Sequence, residues 1–188
     1  MSEKKGRLFI ISAPSGGGKG TIINKLLEIR PELQYSISAT TRAPRQGEID
    51  GKNYYFIDKE RFEELISLDA FLEYAQYAGE YYGTPRAPID FCIDNGVDAL
   101  LEIEVQGAAI VMKELPEAVS IFIVPPSLEI LEKRLRGRKT ETEEKIAARL
   151  RAAKDELLEK DKYNHIVIND LVDRAAEEIL QIIDKVQR

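Results

Sequence analysis

The sequence predicts an α/β fold, a parallel sheet flanked by helices with a smaller α/β segment inserted. Three observations predict it. Apolar runs at Leu8–Ile11, Val97–Val105, Val119–Val124 and His165–Ile168 alternate with stretches whose apolar residues recur at helical spacing. The first run ends in a small-residue loop, Ser12-Ala13-Pro14-Ser15-Gly16-Gly17-Gly18-Lys19-Gly20-Thr21, and a helical pattern follows. Residues 35–88 break the rhythm, holding most of the tyrosines and several short strand-like pieces.

At 188 residues with 44% hydrophobic content, the chain is expected to form one core domain carrying small insertions. A net charge of −6 argues against a general nucleic-acid or membrane-surface binder, so local basic clusters read as sites. The single Cys92 excludes an internal disulfide and a Cys-rich zinc site. His165 stands alone in an apolar run and reads as packed or surface-lying rather than catalytic. No stretch has the length of a signal peptide's apolar region or of a transmembrane helix, so a soluble, cytoplasmic protein is expected.

The chain in order begins with the strand before the loop. Glycines let backbone N–H groups approach a polyphosphate closely, and the next helix (Ile22, Ile23, Leu26, Leu27) adds its positive N-terminal end. Lys19 supplies a mobile charge for the β- and γ-phosphates. Ala13 stands where the phosphate-loop pattern has its first glycine, and Gly20, followed by Thr21, stands where it has a hydroxyl. Direct ligation of Mg²⁺ by the chain is therefore not expected, and contacts through water would serve. Pro31 ends the helix. Within 35–88, a short helix is expected near Lys59–Leu68, with Phe62, Leu65 and Ile66 on one face. The core resumes with a buried strand over Val97–Val105, whose end turns acidic at Glu102 and Glu104. A helix Gln106–Leu115 and a strand Val119–Val124 follow. Ser127 reads as the N-cap of a helix carrying Leu128, Leu131 and Leu135. A basic run reaches from Arg134 to Lys139. Thr140 and Glu143 have capping-box spacing and open a long helix with Ile146, Leu150, Ala153 and Leu157. The strand His165–Ile168 precedes Asn169, and a last amphipathic helix carries Leu171, Ala175, Ile179, Ile182 and Val186. Ligands of parallel sheets sit at the C-terminal strand ends, where the glycine loop, Glu102, Glu104 and Asn169 all fall.

A second site is expected between the strands. Arg42 and Arg45, stiffened by Pro44, suit a phosphate, because each guanidinium can donate a bidentate pair. Tyr54 and Tyr82 are candidate phenol donors. Glu73 lies in the apolar setting Phe71-Leu72-Glu73-Tyr74-Ala75, where a carboxylate needs a partner. Guanine would supply one through its N1–H and exocyclic N2–H₂, and adenine would not. Hydroxyls of Ser38 and Thr84 could serve guanine O6 or N7, both acceptors.

Taken together, these motifs resemble the guanylate kinase family over about residues 7–187. The segments that carry the resemblance are the Ser-Ala-Pro-Ser-Gly loop, Ser38-Ala39-Thr40-Thr41-Arg42-x-Pro44-Arg45-x-Gly47-Glu48, Tyr81-Tyr82-Gly83-Thr84, Glu104-Val105-Gln106-Gly107 and Arg134-Leu135-x-Gly137-Arg138. The resemblance implies the reaction ATP + GMP to ADP + GDP, with Mg²⁺ accompanying ATP and dGMP as a further candidate acceptor. It implies a P-loop kinase core (1–34, 89–126 and 150–188), a GMP-binding subdomain (35–88) and a lid (127–149). It assigns Arg42, Arg45, Tyr54 and Tyr82 to the GMP phosphate, and Glu73, Ser38, Thr84 and Glu104 to guanine. It assigns the loop from Ala13 to Thr21, with Arg134, Arg138 and Asn169, to ATP. Lys19, Arg42, Arg138 and Arg149 are the implied catalytic set. Glu102 and Glu104 stand where many relatives carry Asp, and Thr21 and Glu102 are the candidates for water-mediated metal contact. Three other readings were weighed: a kinase for AMP or a pyrimidine nucleotide, a non-catalytic binding module of the same fold, and a regulatory GTPase. The last lacks any Asn-Lys-x-Asp motif.

Overall fold

The computed structural model describes residues 5–77, 79–137 and 142–186. In chain order the elements are β1 (Leu8–Ser12), α1 (Lys19–Ile29), β2 (Gln34–Tyr35), β3 (Ala39–Thr40), β4 (Tyr55–Phe56), α2 (Lys59–Ser67), β5 (Phe71–Tyr77), β6 (Glu80–Pro85), α3 (Arg86–Asp94), β7 (Ala99–Glu102), α4 (Val105–Glu114), β8 (Val119–Val124), α5 (Leu128–Gly137), α6 (Glu143–Leu157), β9 (His165–Ile168) and α7 (Val172–Val186). A five-stranded sheet runs in the order β2-β7-β1-β8-β9, and a four-stranded sheet in the order β4-β3-β6-β5. The architecture is the α/β one that the sequence predicts.

The chain divides into two compact units. One comprises Met1–Leu8, Gln34–Leu101 and Gln106–Ala118. Here β5 and β6 pair antiparallel, with Glu73 opposite Thr84, β6 pairs antiparallel with β3, and β3 runs parallel to β4. Helix α2 starts at Asp58, whose carboxylate accepts from the Arg61 N–H at 2.7 Å. It buries Phe62, whose ring stacks on Phe71 (centroids 4.5 Å apart) and on Tyr81 (5.1 Å). Ala39, Ile57, Leu65 and Ile66 complete that core. Gly83 is required by the same packing, since a Cβ there would sit 2.9 Å from the Phe71 ring.

The other unit comprises Phe9–Leu33, Glu102–Val105 and Val119–Arg188. β1, β8 and β9 run parallel, with Phe9 opposite Val119 and Val124 opposite Ile168. β1 is buried along its whole length, as a strand covered on both faces must be. Helix α1 packs on α7, and α5 packs on α6 through Leu131, Leu135, Ile146 and Ala153. The Ser127 hydroxyl caps α5 by accepting from the Ile130 N–H at 3.2 Å.

Three expectations are corrected, and one helix is new. The strand expected over Val97–Val105 is shorter, Ala99–Glu102; just past its end the Ile103 N–H still donates to the Ile11 carbonyl at 3.2 Å, while the Ile103 carbonyl accepts from side chains. Helix α6 is capped by Thr142, which accepts from Lys145 N–H at 3.4 Å; Thr140 lies outside the described residues. The buried stripe of α7 is Ala175, Ala176, Ile179, Leu180 and Ile183, while Leu171 is exposed. Of the residues expected inside, Ala175 and Ile179 belong to it, and Ala176, Leu180 and Ile183 widen it to a full helix face. Helix α3 was not foreseen at all; its Pro88 sits in the first turn, where a missing N–H costs nothing.

Candidate active site

The glycine loop is held from several sides. Gly16 and Gly18 have φ of +83° and +89°, conformations that disfavour a side chain. A Cβ on Gly18 would also lie 2.5 Å from the Asn169 amide nitrogen, and one on Gly16 would lie 2.7 Å from Leu135. Gly17 N–H donates to the Pro14 carbonyl at 2.8 Å and closes the turn. Behind the loop, the Ile103 carbonyl accepts from the buried Ser12 hydroxyl (2.8 Å) and from Lys19 Nζ (3.0 Å). Lys19 also pairs with Glu104 at 3.0 Å, its own side chain 11% exposed and that of Glu104 73% exposed. The ammonium is thus aimed along the loop by two oxygens at the end of β7.

Ser15 carries two further contacts. Its N–H donates to Glu156 Oε2 at 2.7 Å, and its hydroxyl accepts from Arg149 Nε at 2.9 Å. At the far side, Asn169 Nδ2 donates to the Gly17 carbonyl (2.8 Å), and Arg134 Nη2 donates to the Asn169 carbonyl (2.8 Å). Asn169 is buried, and its Oδ1 and Arg134 Nη1 have no partner among the described residues. Two buried polar atoms left open beside the glycine loop are chemically available to a ligand. Ala13, Pro14 and Gly17 are buried, whereas Gly20 and Thr21 are exposed. The nearest heavy atom to a Cβ on Gly20 would be Glu102 Oε1, at 3.9 Å. Hydroxyl and carboxylate oxygens at that corner are the hard donors that Mg²⁺ accepts. Among the described residues no group of three or more His, Cys, Asp or Glu could hold a metal alone. Arg138 lies outside the described residues.

The second cluster stands on β3, β5, β6 and the loop that follows β3. Arg42 donates to Glu48 Oε1 at 2.9 Å and to the Ala43 carbonyl at 2.7 Å, and its guanidinium lies 5.5 Å from the centre of the Tyr54 ring. Glu48 first, with the Tyr82 hydroxyl adding to it, keeps the guanidinium above its ordinary range, and Arg42 in turn holds Glu48 below the usual carboxylate range. Arg45 is exposed, its backbone N–H bonded to the same Glu48 at 2.7 Å. Tyr54 and Tyr82 meet edge to face at 6.1 Å. Glu73 and Thr84 face one another across the β5–β6 pair, and the Thr84 hydroxyl donates to Glu73 Oε1 at 2.6 Å. Burial is the main influence on Glu73 and pushes its carboxyl above the ordinary range, while the Thr84 bonds oppose the shift. Ser38 is half-buried, its carbonyl accepting from Tyr55 N–H at 2.9 Å.

The structure therefore brings Glu48 and the Tyr54 and Tyr82 rings to Arg42, ties the Arg45 backbone to Glu48, and joins Glu73 to Thr84. It sets the loop, Lys19, Glu104, Arg134, Arg149 and Asn169 in one bonded network. Comparison with known proteins bears on both groups. A family model described as guanylate kinase matches residues 5–186. The chain belongs to the guanylate kinase family. A guanylate kinase of Caldanaerobacter subterraneus is 51% identical over 96% of this chain and 88% of its own. One from Thermus thermophilus is 48% identical over 100% of this chain and 84% of its own. The crystal structure of guanylate kinase from Anaplasma phagocytophilum aligns with a TM-score of 0.79 at 37% identity, covering 98% of this chain and 87% of that one. Membership in the guanylate kinase family makes the chain an enzyme, a nucleotide phosphotransferase, as the sequence predicts. No helix among the described residues is long and apolar enough to cross a membrane.

Two residues, one in each cluster, escaped the reading of the sequence. Glu48 was quoted only as part of a motif; its position three residues after Arg45 was the available signal. Glu156 had none, since a glutamate on a long amphipathic helix reads as solvated surface.

Proposed function

We propose that this chain transfers the γ-phosphoryl group of ATP to GMP, giving ADP and GDP, with Mg²⁺ on the ATP phosphates. The loop amides and Lys19 would hold the ATP phosphates, and Arg134 and Asn169, with their two open polar atoms, would meet the nucleoside. Arg42, Arg45, Tyr54 and Tyr82 would hold the GMP phosphate. Glu73, Thr84 and Ser38 would read guanine. Glu104 is assigned to the acceptor by resemblance alone; in the free chain it is the counter-ion of Lys19. Arg149 and Arg138 complete the cationic set, and segment 127–149 is assigned as the lid that closes on ATP and excludes water.

The chemistry asks little covalent work of the protein. The attacking GMP phosphate oxygen is ionised near neutrality, its second pKa being about 6, so no general base is needed. What the residues supply is alignment of donor and acceptor and neutralisation of the charge spread over the transferring group. Thr21 and Glu102, with their oxygen donors, would hold the metal through its water shell. Bound there, Mg²⁺ would neutralise charge on the β- and γ-phosphates.

The observation that carries the choice of acceptor is the half-buried Glu73 carboxylate bonded by Thr84. A carboxylate in that position accepts two hydrogens from guanine and repels the acceptor edge of adenine. Glu73→Gln keeps shape and volume but reverses one end to a donor. It should raise KM for GMP about a hundredfold, the cost of one unpaired buried group in a recognition site, and leave KM for ATP within twofold. An unchanged KM for GMP would remove Glu73 from base recognition.

A further inference from the structure

Helix α6 grips the phosphate loop at a single residue. Arg149 and Glu156 lie about two turns apart and so share one face of the helix. Together they hold the hydroxyl and the backbone N–H of Ser15: Arg149 Nε donates to the hydroxyl at 2.9 Å, and the Ser15 N–H donates to Glu156 at 2.7 Å. Phosphate-loop amides are anion receptors, and here one of them already serves an anion. The carboxylate is half-buried, with Lys19 and Arg149 stabilising its charge and Glu104 opposing it. These cations are the ones a triphosphate would use.

We infer that Glu156 is an internal anion that occupies the phosphate loop of the free enzyme and is displaced when ATP binds, thereby setting the enzyme's affinity for ATP. The inference rests on the reading of residues 13–21 as the ATP phosphate loop. The carboxylate and the terminal phosphate are like charges competing for the Ser15 amide and for Lys19 and Arg149, so the two do not stay together at full strength. Burial raises the proton affinity of Glu156, which marks its place in the loop as costly for a charge. A carboxylate kept in such a place is held there by the loop's own donors, and a ligand offering more negative charge can take them over. The loop is thereby kept closed up and bonded without nucleotide, and displacement leaves Glu156 to solvent, with α6 free to move.

The test is the affinity of the full-length enzyme for a non-hydrolysable ATP analogue with Mg²⁺, by calorimetry, in the parent and in Glu156→Gln and Glu156→Ala. Gln preserves an acceptor for Ser15 but removes the charge. It should tighten analogue binding about tenfold, the ratio separating a charge-assisted hydrogen bond from a neutral one, with a smaller gain for ADP, which lacks the terminal phosphate. Ala should also bind at least as tightly as the parent. A gain in affinity is a readout that a damaged loop would not give. Unchanged or weaker binding by Glu156→Gln would overturn the inference and make Glu156 a support of the loop that stays bonded beneath ATP. A parent protein that binds no analogue would instead sink the phosphate-loop reading itself.

Discussion

Lys19→Ala tests the assignment of the loop most severely. The Lys19 side chain is 11% exposed, and its ammonium is fixed by the Ile103 carbonyl and Glu104, each 3.0 Å away. Placed about 4 Å from a phosphate charge at an effective dielectric near 20, it contributes about 4 kcal/mol. If that energy is expressed in the transition state, its loss lowers kcat about a thousandfold, at 1.4 kcal/mol per factor of ten. The fold should survive. Glu104 is exposed enough that its bridge to Lys19 is worth only about 0–1 kcal/mol, and the Ile103 carbonyl keeps the Ser12 hydroxyl as a partner. ADP formation in a coupled assay reads the rate, calorimetric titration with GMP reads the acceptor site, and thermal melting checks the fold. The GMP affinity should stay within twofold of the parent, because the Arg42 cluster contains no bond to Lys19. Turnover within tenfold of the parent would refute the role of Lys19.

Three further outcomes are expected. Gly18→Ala should cost about 1–3 kcal/mol of stability by strain at φ +89°, read by denaturant titration, and weaken ATP binding, because its Cβ would sit 2.5 Å from the Asn169 amide. Phe62→Ala should cost about 3–5 kcal/mol by emptying the space between Phe71 and Tyr81, and GMP affinity should fall before ATP affinity does, read by parallel titrations. The pH dependence follows from Glu73, whose carboxyl burial raises above the ordinary range. Its folded-state pKa exceeds its unfolded one, so its contribution to stability is complete below the unfolded pKa and is lost as pH rises through the folded one. Recognition runs the opposite way: protonation removes an acceptor for guanine, so KM for GMP should climb as pH falls through that raised value while KM for ATP stays flat.

Much of this was legible in the chain because local chemistry specified it. Lys59–Ser67, Val119–Val124 and His165–Ile168 appear within a residue of the expected bounds, though in the last only Val167 is buried. The loop from Ser12 to Thr21 announces itself through glycines that nothing else explains. The proximity of Arg42, Tyr54 and Tyr82 was suggested by their crowding within one tyrosine-rich segment, whereas their role belongs to the proposed function. What could not be read depends on contacts distant in sequence. The strand order β2-β7-β1-β8-β9 is set by crossovers, and no residue within a strand encodes its neighbour. The partnership of Lys19 with Ile103 and Glu104 joins residues more than eighty positions apart. Glu156 reaches Ser15 across a still longer separation. Helix α3 was hidden by Pro88, which usually signals a break and here occupies the one turn that tolerates it.

The central claim is the pairing of an ATP phosphate loop with a guanine-reading acceptor site. Its most direct test is ADP formation from Mg-ATP with GMP, dGMP, AMP, UMP or CMP offered one at a time at equal concentration. Turnover with GMP well above that with AMP, UMP and CMP is the predicted result. Turnover preferring AMP or a pyrimidine nucleotide would contradict the role given to Glu73 and Thr84, and measurable GMP binding with no turnover on any acceptor would contradict catalysis by this chain.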